Sequence, residues 1–198
     1  MQSLAEIGHF ACPLPSLPCQ VRGRWLVVLS LLLLSTAGVH GAVPVAFTLR
    51  DQLPHSWQAD HGEMLHLDEF KGRRLVFTMA YSTCHRICPA AITRLGELQR
   101  DFDASATSAE FFVVSYDPAN DDPATWRRYR KSHRLSRDNW HFLTGTPEAT
   151  AQLARQLGFE FWNYDEHVIH DYRIVVLGAD GALQAAIDAT HPYLQELP

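Results

Sequence analysis

Two nearly unbroken apolar runs mark the interior of the fold. Arg74–Tyr81 reads RLVFTMAY and Glu110–Tyr116 reads EFFVVSY; runs of this length without alternation suit strands buried on both faces. Further strands are predicted over Trp140–Leu143, Tyr172–Leu177 and Leu183–Ile187, the last two joined by Gly178-Ala179-Asp180-Gly181 as a hairpin. Between strands the period becomes helical: Ile92, Leu95, Leu98 and Phe102 recur after Pro89, which fits the first turn of a helix. Asp122-Pro123 and Thr146-Pro147 each set a capping side chain before a proline at the first helical position. Helices are therefore predicted from Pro123 towards His133, and from Pro147 through Leu153 and Leu157 to a stop at Gly158. Short strands are expected at Ala46–Leu49 and Met64–Leu67, the latter after a turn at His61-Gly62. The order is a β-rich prelude followed by β-α-β-α-β-α-β-β, which predicts a layered α/β domain.

Composition removes several classes of protein. With 198 residues, 46% hydrophobic and 20% charged, the chain is neither disordered, collagenous nor a coiled coil. A formal charge of −5 and no dominating basic block argue against a nucleic-acid partner. The apolar stretch Trp25–Val39, preceded by Arg22 and Arg24 and followed by small residues to Ala42, has the basic, apolar, small order of an export signal. Residues 1–41 are read as that signal, cleaved near Gly41/Ala42, with an uncleaved signal-anchor as the alternative and the membrane's only contact. Residues 1–20 carry Glu6, several prolines and no positive charge; they fit a signal poorly and suggest a natural start later, at Val21. The domain is then 42–198, exported and facing the periplasm, either free or anchored.

Removing 1–41 discards Cys12 and Cys19 and leaves Cys84 and Cys88, in a compartment where thiols meet oxidants. The pair stands in Tyr-Ser-Thr-Cys-His-Arg-Ile-Cys-Pro, where a predicted strand gives way to a helix. Unpaired N–H groups and the helix dipole favour an anionic sulfur there. An i, i+4 spacing brings both side chains to one side of a helical turn, ready to share a metal ion or to close a disulfide after local adjustment. A purely structural disulfide closing so small a loop would remove little chain entropy. Two thiolates suit a soft ion, and Cu(I) is well satisfied by thiolates with one imidazole, so a histidine ligand is to be sought.

Val76–Leu95, VFTMAYSTCHRICPAAITRL, resembles the Sco/SenC family of copper chaperones, whose thioredoxin-like domain carries Cys-x-x-x-Cys-Pro after a buried strand. Two further segments are similar: Val114-Ser115-Tyr116-Asp117-Pro118 with Asp121-Asp122-Pro123, and His170 seven residues ahead of Leu177-Gly178-Ala179-Asp180-Gly181. The likeness covers most of Ala46–Ile187. It implies a thioredoxin-like α/β domain with a central mixed sheet, flanking helices and extra N-terminal β elements. It also implies copper, as Cu(I) and secondarily Cu(II), held by Cys84, Cys88 and His170, with Asp117 and either Asp121 or Asp122 near a docking surface. The implied partner is a cuproprotein recipient, the copper subunit of cytochrome c oxidase, with a thiol–disulfide reductant as a second partner. The sequence departs from the family pattern at His85, where proline often follows the first cysteine, and at Ile169, where aspartate often precedes the histidine.

His170 competes with His167 for the ligand role. In a helix the two would share a face; in a strand they would oppose, and only one could reach the cysteines. His85 can ligate, lower a thiol pKa or stand exposed, and exposure is the expectation. His55, His61, His66 and His191 are read as surface residues. The basic run Trp126–Lys131 reads as a solvated helix face rather than an acidic-partner site, and Phe159, Phe161 and Trp162 as packing. A metallochaperone competes with a thiol–disulfide oxidoreductase acting through Cys84 and Cys88, and with a thiol peroxidase, disfavoured because the proline expected a few residues upstream of Cys84 is missing.

Overall fold

A computed structural model describes residues 48–165 and 167–190 and the backbone of 195–196, all within the compact unit Pro44–Pro198. The expected export signal over 1–41, Cys12, Cys19, Ala46, Phe47 and His191 lie outside the described residues. The chain runs β1 (Ser56–Ala59), β2 (Met64–His66), β3 (Arg74–Ala80), α1 (Ile87–Ala104), β4 (Ala109–Ser115), α2 (Pro123–Ser132), β5 (Trp140–Thr144), α3 (Pro147–Leu157), β6 (Phe161–Tyr164), β7 (His167–His170), β8 (Arg173–Leu177), β9 (Leu183–Asp188) and β10 (Gln195–Glu196).

Eight strands form one mixed sheet in the order β10-β9-β8-β3-β4-β5-β1-β2. The two apolar runs become its centre: β3 and β4 pair in parallel from Arg74–Ala109 to Ala80–Ser115, and every residue of β4 is buried. β5 continues the parallel set beyond β4, while β8 adds antiparallel to the other edge of β3. Helix α1 packs against β3, β4 and β8 through an apolar stripe that includes Ile92, Leu95 and Leu98. At the middle of the sheet Phe112 stacks on Phe77 at 4.9 Å and on His141 at 5.0 Å, with Phe70 edge-on at 5.2 Å.

The cap-then-proline signals operate as read. Asp122 accepts a hydrogen bond from the Thr125 N–H, and Thr146 from the Ala149 N–H, at the starts of α2 and α3. Gly158 ends α3 at φ 72°, a left-handed conformation that a side chain would resist. The basic run on α2 is partly internal: Trp126 and Tyr129 are buried, Arg127 donates to the Asp60 carbonyl, and Arg130 pairs with the Asp60 carboxylate at 3.0 Å.

Three local expectations need correcting. Thr48 and Leu49 do not extend a strand, because the Asp51 carboxylate accepts hydrogen bonds from both the N–H and the hydroxyl of Thr48 and folds the segment into a 3₁₀ turn at Arg50–Gln52. The strand expected over Met64–Leu67 stops at His66, since Leu67 opens a second 3₁₀ turn. β1 has only four residues, with Trp57 and Ala59 inward, too short for alternation to announce it. Phe159 is buried and Phe161 half-buried as packing requires, but Trp162 stands 57% exposed. It belongs to the separate two-stranded sheet β6–β7, which presents Trp162 and Ile169 as a cross-strand pair on its outer side.

Candidate metal centre

The parallel strands deliver their following loops to one end of the sheet, the usual place for a site in an open α/β layer. β3 leads directly into the loop carrying Cys84, and Cys88 occupies the first turn of α1. The Cys84 N–H closes a turn onto the Tyr81 carbonyl at 3.1 Å. The Cys88 N–H, which has no carbonyl partner at the start of the helix, donates to Cys84 Sγ at 3.4 Å. Neither cysteine is in a disulfide; Cys88 is wholly buried and Cys84 nearly so.

β7 is extended, and that separates the two histidines geometrically. His167 points out and is exposed, whereas His170 turns inward and is 7% exposed. His170 Nε2 lies 3.4 Å from Cys88 Sγ and 3.6 Å from Cys84 Sγ. Its Nδ1 lies 2.7 Å from the Asp171 carbonyl oxygen; a carbonyl only accepts, so Nδ1 carries a proton, and when the ring is neutral it is the Nε2 lone pair that faces the sulfurs. The three ligand atoms all lie within 4.8 Å of one another. Two thiols and an imidazole, with no carboxylate in the cluster, form a soft, low-coordinate donor set.

The electrostatics separate the two thiols. The hydrogen bond from Cys88 foremost, then those from His170 and the Cys88 and Arg86 amides, outweigh burial and hold the Cys84 thiol far below its ordinary value. Cys88 is pushed up, by its hydrogen bond to Cys84 and by burial. Burial opposes charge on His170, but its hydrogen bonds to Cys84 and Asp171 prevail and raise its pKa above 6.5. A cleft of about 560 Å³ opens onto Cys84, His170, His85 and His167, among others, while Cys88 sits behind it. His85 is exposed, as expected. A larger groove, about 670 Å³, lies at the opposite end of β3 near Arg74 and Phe102 and is lined by neither cysteine nor histidine.

Two of the acidic residues that the resemblance places near a docking surface have local structural tasks. Asp122 is the cap of α2, and Asp121 is buried, accepting from the Ser82 N–H at 3.1 Å and the Ser115 hydroxyl at 2.6 Å. Asp121 thus ties the cysteine loop to the end of β4. Burial raises its pKa above 3.8 despite those hydrogen bonds. A folded-state pKa above the unfolded one contributes stability that is complete below the unfolded value and is lost as pH rises through the folded value. Asp121→Asn, which keeps an acceptor but cannot ionise, is expected to flatten the fall in stability as pH rises from 3.8 towards neutrality. Urea unfolding of both proteins across that range checks this, and parallel curves would contradict it.

Residues 48–195 match the SCO1/SenC family. The chain belongs to the SCO1/SenC family. A curated relative, the SCO1 protein homolog of Bacillus subtilis (strain 168), is 26% identical over 132 residues, 65% of this chain and 68% of the relative. The structure of BsSco, a member of the Sco family of cytochrome c oxidase assembly proteins in which a disulfide switch has been identified, superposes with a TM-score of 0.61 at 26% identity, covering 69% of this chain and 82% of that one. Arabidopsis thaliana ScoI, solved with copper bound, superposes with a TM-score of 0.61 at 19% identity, over 70% and 87% of the two chains. The SCO1/SenC domain here therefore has the thioredoxin-like architecture, with its central mixed sheet and flanking helices.

Sequence reading missed the residues around the ligand cluster. Tyr81 meets the His170 ring edge-on at 5.7 Å, Tyr116 stacks on it at 4.6 Å, and Asp171 binds its Nδ1–H. The only signal available was that Tyr81 and Tyr116 each end an apolar run, and that position is informative only once β3 and β4 are known to be adjacent.

Proposed function

We propose that this SCO1/SenC protein is a metallochaperone that carries Cu(I) on Cys84, Cys88 and His170 and helps to load copper into a cuproprotein, the copper centre of cytochrome c oxidase. The observation that carries the reading is the convergence of two buried sulfurs on an imidazole Nε2 freed for ligation by the Nδ1–H bond to Asp171. Copper in Arabidopsis ScoI and the assembly role of the BsSco family support the choice of ion and recipient. Cu(I) is cargo in this scheme. Cys84 and His170 line the cleft while Cys88 lies behind it, so an incoming recipient ligand displaces the outer donors first and Cys88 releases last.

The same reading takes residues 1–41 as an export signal or anchor and 42–198 as the working domain on the periplasmic side. Among the described residues no helix is long and apolar enough to cross a membrane; Trp25–Val39 lies outside them.

Anaerobic titration of the reduced chain with Cu(I) against a competing chelator tests the proposal. Stoichiometric uptake is expected. His170→Ala should weaken it by more than about 100-fold, the upper range for merely disturbing a ligand's support, whereas His167→Ala should leave it unchanged. Equal effects of the two substitutions would remove His170 as the ligand.

A second reading is favoured by the unequal thiols. The Cys84 thiolate, facing the cleft, attacks one sulfur of a target disulfide and releases the other as thiolate; Cys88 then attacks Cys84 Sγ and frees the second target thiol. Two electrons pass to the target and Cys84 and Cys88 end as a disulfide. Disulfide exchange without Cu(I) uptake in the titration would select this chemistry alone.

A further inference from the structure

The aromatic ring stacked on His170 does not come from its own strand. Tyr116, the residue after β4, is 3% exposed and lays its ring on the His170 imidazole, 4.6 Å between centroids and 30° between planes. Its hydroxyl donates to the Asp171 carboxylate at 3.2 Å. Asp171 is gripped from the other side as well, its N–H donating to the Glu160 carbonyl at 3.0 Å. With both its N–H and its carboxylate held, the Asp171 carbonyl is aimed at His170 Nδ1, 2.7 Å away. Tyr116 therefore touches the imidazole twice, directly by stacking and indirectly through Asp171. A phenylalanine would fill the same space; only the hydroxyl reaches the carboxylate.

We propose that Tyr116 and Asp171 form a coupled pair of positioning residues that fixes the plane and tautomer of His170 and so presents Nε2 to the two sulfurs. The inference rests on the copper reading of the site and specifies how its third ligand is held. Hydrogen bonds to the remote nitrogen of a ligating histidine set its orientation and basicity, and their loss commonly costs about 10- to 100-fold in metal affinity. The hydroxyl–carboxylate bond acts one step further out, so Tyr116→Phe and Asp171→Ala are each expected near the lower end, about tenfold. Since both break one link, the double variant should be little worse than either alone. Asp171→Asn retains an oxygen acceptor for the Tyr116 hydroxyl and should restore most of the affinity.

Two measurements on the reduced full chain decide the matter. Without metal, the Nδ1–H resonance of His170, identified by its loss in His170→Ala, is expected to be protected from solvent exchange in the wild type and in Asp171→Asn, and to exchange rapidly in Tyr116→Phe and Asp171→Ala. Cu(I) competition on the same four proteins and the double variant should follow the same division. A protected Nδ1–H in Tyr116→Phe and Asp171→Ala, additive losses in the double variant, or an Asp171→Asn as impaired as Asp171→Ala would each overturn the pairing. A wild-type chain that takes no Cu(I) would defeat the copper reading instead, and the Nδ1–H exchange alone would then judge the pair.

Discussion

Serine in place of Cys88 is expected to abolish tight Cu(I) binding while the domain stays folded. Cys88 is fully buried at the start of α1, 3.4 Å from His170 Nε2, and its N–H already supports the Cys84 sulfur. Serine occupies nearly the same volume and leaves that N–H in place, so neither helix nor loop needs to move. What changes is the donor: a hard, neutral hydroxyl replaces a soft thiolate. The loss should exceed the roughly 100-fold that marks the worst damage to a ligand's support, because here the ligand itself is gone. The Cys84 thiol should stay well below its ordinary value, since a serine hydroxyl can donate to its sulfur in place of the Cys88 thiol, whose hydrogen bond is the foremost cause of that depression. Chelator competition reads the first effect and thiol titration the second, with circular dichroism as the control for folding. Cu(I) affinity within about tenfold of wild type would mean that the two-thiolate site is wrong.

Phe112→Ala should remove a large share of the domain's stability. Phe112 is fully buried at the middle of β4, between the rings of Phe77 and His141 and under the edge of Phe70. It stands in register with Phe77 on β3 and His141 on β5, so the cavity would open at the junction of three strands that cannot close in without breaking their pairing. A cost of about 3–5 kcal/mol is expected for such a truncation, against a total stability of roughly 5–15 kcal/mol for a domain. The urea midpoint should fall accordingly, and Phe112→Leu, which leaves a smaller void, should fall much less. A shift below about 1 kcal/mol would show that the sheet can collapse around the gap. The same experiment bears on the site, because β3 and β4 carry the cysteine loop and Tyr116 at their ends.

Much of this architecture was legible in the linear pattern. The runs at Arg74–Tyr81 and Glu110–Tyr116 are strands buried on both faces because their apolar side chains fall on both, leaving neither face for water. The starts of α2 and α3 could be read because Asp122, Thr146 and the prolines after them act on the N–H groups of their own helices. Cys84 and Cys88 were found the same way: four residues and one strand-to-helix junction hold everything that brings two sulfurs together. These are local interactions, and local interactions are written in consecutive residues.

The third partner is a different matter. His170 lies 82 residues beyond Cys88, on a hairpin whose second strand could have been helix or extended from its sequence alone. Only the pairing of Phe161 with His170 across β6 and β7 turned His170 inward and His167 out. Tyr116 and Asp171 acquired their contacts with His170 through the same convergence, and Asp121 its hold on Ser82 through the adjacency of β3 and β4. The amino-acid sequence by itself determined the central strands, the helix caps and the cysteine pair, because each is decided by neighbours along the chain. Tertiary structure alone decided which histidine faces the sulfurs and what holds it there, because those contacts join distant segments once the sheet is assembled.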